Sequence, residues 1–153
     1  MASKKPLFME STEIAPERTA AEIQVELIKD GASQIAMDFE DGKIKGLRWA
    51  MKIGPTVALF GMPARVEPVY QILYKRVANN WNVDKDKLRA KAERVAWRQL
   101  LRWTQSQVAM IETGMVQPSE VFLSYMLDQT GTQTFFERFV ESGYKMLPPG
   151  KPQ

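Results

Sequence analysis

Residues 34–62 read QIAMDFEDGKIKGLRWAMKIGPTVALFGM, and the alternation in this stretch decides the fold class. Ile35, Met37 and Phe39 share one parity, while Gln34, Asp38 and Glu40 share the other. An apolar–polar period of two marks a strand with one buried face. Asp41-Gly42 supplies the left-handed backbone that a two-residue hairpin needs. The return strand, 43–53, puts Leu47, Trp49, Met51 and Ile53 on the core parity and Arg48 and Lys52 on the outer one. Gly54-Pro55 turns the chain again. Thr56 to Met62 is apolar on both parities, so a third strand covered on both faces is expected there. Short turns between all three make an antiparallel meander.

Helical spacing begins on either side. Pro16 suits a first turn, and Ala20, Ile23, Leu27 and Ile28 carry a helix to about residue 30, where Gly31 stops it. After the meander, Val66, Val69, Tyr70, Leu73 and Val77 give a second helix, ended by Asn79-Asn80. Asp84 is an N-cap for a long helix over 84–113, with Gly114 beyond it. Pro118 opens a shorter helix to about Asp128, and Thr132 is expected to cap a last one containing Phe135, Phe136 and Phe139. The class is therefore α+β: a helix, a three-stranded antiparallel meander, then about four helices, one of them long and central. Residues 1–15 are expected to be a loose lead-in pinned by Phe8, Met9 and Ile14. Residues 16–145 form a single domain and 146–153 a disordered tail.

Composition narrows the chemistry. The chain has 153 residues, 44% hydrophobic and 25% charged, which is enough for a core without staples. With no Cys and no His, disulfides, imidazole catalysis and the common zinc sites are excluded. No phosphate-cradling glycine loop occurs. No apolar run reaches the roughly 18 residues of a membrane span. The start shows no signal-peptide core, so a cytoplasmic location in a bacterial host, with no membrane partner, is expected. Asp38, Glu40, Asp41 and Lys43 faintly resemble a metal-dependent nuclease strand. Further acidic ligands are missing, so no enzyme activity, metal or cofactor is expected.

The positive charge is concentrated. Residues 43–102 carry 14 basic and 4 acidic side chains, against 4 and 9 in residues 1–42. On the long helix at about 100° per residue, Lys87, Lys91, Arg94, Arg98 and Arg102 fall within roughly 80°. From Lys87 to Gln105, which falls on the same line, the strip runs about 27 Å along the helix. No acid interrupts this strip. Like charges at i,i+4 repel, and a polyanion lying alongside would remove that cost. The competing reading pairs the strip with Glu17, Glu22 and Glu26 of the first helix. On the meander, Lys43 and Lys45 flank the hairpin, and Arg48 and Lys52 point outward, where they could hold a phosphate backbone. Trp49, Trp97 and Trp103 lie on core-facing positions. Trp81, in Asn79-Asn80-Trp81-Asn82, is either a plug between helices or a base-stacking side chain.

Resemblance adds a setting. Val95-Ala96-Trp97-Arg98-Gln99-Leu100-Leu101-Arg102-Trp103 is followed by Ile111-Glu112-Thr113-Gly114 and by Glu120-Val121-Phe122-Leu123. Together these runs resemble a segment of uncharacterised small proteins of phages and mobile elements. Pro16-Glu17-Arg18-Thr19-Ala20-Ala21-Glu22-Ile23 is similar as well. That resemblance implies a phage or prophage setting. The helix–strand–strand–strand–helix order over 16–78 is similar to a double-stranded RNA-binding domain, although Pro63-Ala64-Arg65 replaces its Lys-rich helix start. The meander followed by a helix is similar to the core of single-strand annealing proteins, which implies a homo-oligomer. The expected function is non-sequence-specific single-stranded DNA binding in replication or recombination. The alternative is a phage regulator whose strip docks on an acidic host protein.

Overall fold

Alternation and helical spacing resolve into an α+β fold. A computed structural model describes residues 5–145; residues 1–4 and the expected tail, 146–153, lie outside the described residues. The order is α1 (Pro16–Lys29), β1 (Ala32–Glu40), β2 (Lys43–Ile53), β3 (Thr56–Pro63), α2 (Val66–Val77), α3 (Lys85–Glu112), α4 (Pro118–Phe122), a 3-10 turn (Leu123–Tyr125) and α5 (Phe135–Glu141).

The sheet is antiparallel in the order β1-β2-β3. Ile35 stands opposite Trp49, Met37 opposite Leu47, and Trp49 opposite Phe60, so the apolar parity of each strand meets on one face. Near the hairpin Asp38 pairs with Gly46 and Phe39 with Ile44. Lys45 is thus the extra residue of a bulge, which lets Ile44 enter the core while Lys45 stays exposed.

α1 and the second half of α3 cover the apolar face. Trp49 stacks on Phe60 at 5.4 Å between ring centroids, and Phe122 meets Trp49 edge-on at 5.5 Å. Ile23 and Leu27 of α1 and Trp97 and Leu101 of α3 close this core. Burying each such side chain stabilises the fold by about 1.5–3 kcal/mol. α2 packs on the first half of α3 through a smaller cluster of Tyr70, Leu73 and Ala92, which Leu7 joins. α3 is fixed at its start by Asp84, whose carboxylate accepts from the Asp86 and Lys87 N–H groups at 3.1 Å each.

Four expectations need correction. The helix opened by Pro118 does not reach Asp128. Met126 and Leu127 leave it to lie along the edge of β3, with the Leu127 N–H donating to the Leu59 carbonyl at 2.7 Å. The last helix is capped by Thr134 rather than Thr132, because Glu137 lies three residues on and completes a reciprocal cap. β3 is covered on one face only; Val57 and Leu59 are exposed. Phe8 is exposed too, whereas Met9 and Ile14 are half-buried, and Leu7 and Glu10 also hold the lead-in.

Candidate nucleic-acid interface

α1 lies along α3, and this contact breaks the cationic strip. Arg98, in the middle, is only 8% exposed. One of its guanidinium nitrogens donates to the Glu22 carboxylate and to the Thr19 hydroxyl, the latter at 3.2 Å. Thr19 is itself fully buried. Arg98 therefore ties α1 to α3 and is not presented to a polymer. The pairing with the acids of the first helix holds at this one position.

The rest of the strip divides in two. Arg102 is exposed beyond Arg98 and donates to Gln105 at 2.8 Å. Lys87, Lys91 and Arg94 remain together at the N-terminal end of α3. Lys87 is exposed and Lys91 and Arg94 are half-buried. Lys91 lies 3.8 Å from Glu10. Lys87 and Arg94 carry no carboxylate partner among the described residues, and the Arg94 Nε is buried with no acceptor. All three line a groove of about 410 Å³ between the end of α2 and the start of α3.

Trp81 lies in the α2–α3 connection, between Asn80 and Val83, both of which line this groove. It is 94% exposed, more than any other large apolar side chain described. The plug between helices is therefore not its role. Asn80 accepts from the Asn82 N–H at 3.1 Å and sets the turn beneath it. Residues 75–94 carry seven basic and three acidic side chains. Among them Arg89 is committed locally: it bonds Glu67 at 2.9 Å and lies 4.0 Å over the Tyr70 ring. The Gln71 amide and Arg89 hold the Glu67 carboxyl below its ordinary range.

The sheet cations lie elsewhere. Arg48 and Lys52 project from the sheet face opposite to the one covered by α1 and α3, so they do not join the α3 cations in one groove. Arg48 bonds Asp38 at 2.9 Å, and Lys43 pairs with Glu93 at 3.1 Å. Lys45 and Lys52 are exposed. That outer face holds a groove of about 240 Å³ that sequence reasoning missed. Gly46 and Gly61 make its floor. A Cβ at Gly46 would stand 2.9 Å from the Met62 carbonyl oxygen, and one at Gly61 3.3 Å from Leu127. Two glycines inside strands were the available signal.

Asp38 faces Arg48, and Asp41 occupies the left-handed turn position at φ 52°. No group of three or more metal-capable side chains gathers among the described residues. Likewise, no described helix is long and apolar enough to cross a membrane. Glu10, which sequence reasoning did not single out, meets Arg76 as well as Lys91. Nothing local marks it, since Arg76 is 66 residues away.

No family model matches the chain, and no curated protein or solved structure is significantly similar to it.

Proposed function

We propose that this protein is a nucleic-acid-binding accessory protein that takes single-stranded DNA without strong sequence preference. The interface is the α2–α3 end, with Trp81 stacking on a base and Lys87 and Arg94 holding phosphates. The observation that carries this reading is the 94% exposure of Trp81, in the connection that leads to a groove lined by Lys87 and Arg94, which have no carboxylate partner among the described residues. An indole this exposed contributes almost nothing to its own fold. Stacking on a base regains the burial it lacks, and every base offers a face for it. The sequence resemblance to small phage proteins implies a phage or prophage setting and no activity of its own. Arg98 is excluded from the interface by its burial, Arg48, Lys52 and Lys45 belong to a separate surface, and Lys43 is paired with Glu93 of α3.

Fluorescence anisotropy with a labelled thymidine oligonucleotide tests the reading. Two phosphate contacts give a slope of log affinity against log salt of about −1.4, which is about sevenfold between 50 and 200 mM. Trp81→Ala should weaken binding about 5- to 150-fold, the range for one stacked base. An affinity unchanged by that substitution, or no binding at low salt, overturns the proposal.

A second reading is favoured by one observation. Phe135, Phe136, Val140 and Tyr144 on and after α5 are exposed together. Such a patch suits a protein partner and supports the alternative of a regulator docking on a host protein.

A further inference from the structure

Residues 5–13 fold back across α3 and bring a carboxylate to the cations. Glu10 accepts from Arg76 and from the Leu7 N–H through one oxygen, and its other oxygen lies 3.8 Å from Lys91. The Leu7 N–H and the Arg76 guanidinium hold its carboxyl below the ordinary range, so Glu10 is ionised at neutral pH. Between this segment and α3 runs a groove of about 560 Å³ lined by Lys91 and Arg94. Resting on the nucleic-acid reading above, we propose that Arg76, Lys91 and Arg94 form a phosphodiester-binding position. In the resting chain its own Glu10 fills that position, so the N-terminal segment competes with the DNA strand.

Three features support this. First, the compensation is incomplete. Glu13 lines the same groove but makes no ion pair among the described residues, and the Arg94 Nε is buried with no acceptor there. A phosphate offers more acceptor oxygens than the carboxylate and could satisfy the donor that Glu10 leaves unmet. Second, the hold is shallow. Among the described residues Leu7 enters the α2–α3 cluster, Phe8 is exposed, and single bonds run from Gln99 to the Phe8 carbonyl and from Arg76 to the Lys5 carbonyl. Third, Met9 holds a left-handed backbone at φ 65°, a strain that release relieves.

The test is the salt dependence of thymidine oligonucleotide binding by the full chain and its variants. Glu10→Gln releases Lys91 and Arg76 from the carboxylate, so four cations then meet phosphates. The slope should steepen from about −1.4 to about −2.8, with tighter binding at low salt. Glu10→Asp keeps the charge and should behave as the parent. Lys91→Gln added to Glu10→Gln should take back about half of the steepening. If the parent binds and Glu10→Gln shows the same slope and affinity, this inference fails while the nucleic-acid reading stands. If neither binds, both fail. If only Glu10→Gln binds, the competition is complete and the inference holds. Hydrogen exchange on Glu10→Gln gives an independent readout. Saturating oligonucleotide should strip protection there from the residue-10 and Thr12 amides, which in the parent donate to the Leu7 and Met9 carbonyls at 3.0 and 3.2 Å. Unchanged or increased protection there overturns the displacement.

Discussion

Arg98 separates a structural cation from an interface cation, and its removal can be worked through. Arg98→Ala deletes a charge-assisted bond to Glu22, leaves the Thr19 hydroxyl buried without its partner, and empties the space of the aliphatic stem. A bond to a charged group contributes about 1.5–3 kcal/mol, and an unsatisfied buried hydroxyl costs about 1–3 kcal/mol. Glu22 is 39% exposed and regains water once freed, which discounts the first figure. The sum is about 3 kcal/mol. For a chain of this length that lowers the melting temperature by about 6–12 °C. Arg98→Met keeps the stem and should recover about 1 kcal/mol of the loss. The assay is thermal unfolding followed by circular dichroism, beside oligonucleotide binding at a temperature where both proteins are folded. Affinity should stay within about twofold of the parent, because solvent and ligand do not reach this guanidinium. A variant that melts within about 2 °C of the parent yet loses binding refutes the reasoning. It would return Arg98 to an open strip.

Other positions give further expectations. Burial, with Glu112 nearby, pushes the Asp30 carboxyl up from 3.8 to about 6. The folded state therefore binds the proton more tightly than the unfolded chain. The stability this brings is complete below about pH 4 and is lost as pH rises through about 6. After discounting for partial exposure, Asp30→Asn should add about 1 kcal/mol at pH 7. Urea unfolding between pH 4 and 7 should show that the rise in stability toward acid shrinks in this variant; an undiminished rise contradicts the assignment. Thr134 accepts from the Glu137 N–H at 3.2 Å and donates to its carboxylate at 2.9 Å. Thr134→Ala should cost about 1–2 kcal/mol by the same assay, and a neutral result would mean that α5 is not held by this cap.

The fold was legible where one physical signal dominated. The period-two pattern from Ile35 to Phe60 sets which strand faces meet, and Asp84 with Gly114 brackets α3 because capping is local chemistry. The end of the helix begun by Pro118 was not legible. Met126 and Leu127 are good helix formers whose backbone groups are claimed by the edge of β3, a tertiary competition that local propensity does not register. The site was legible only in part. Helical spacing aligns the five cations of α3 correctly. What covers a helix face depends on its neighbours, and α1 takes Arg98 while the N-terminal segment takes Lys91. The exposure of Trp81 in the α2–α3 connection depends on what packs around that loop, and spacing alone leaves it undecided.

Tryptophan emission during an oligonucleotide titration tests the central claim most directly. Trp49 and Trp97 are buried and Trp103 is half-buried, so solvent-exposed indole emission belongs to Trp81. Adding single-stranded DNA at low salt should quench and blue-shift that emission, and Trp81→Phe should abolish the change. Emission that stays constant while the oligonucleotide binds, or a quench that persists in Trp81→Phe, would contradict an interface at the α2–α3 end.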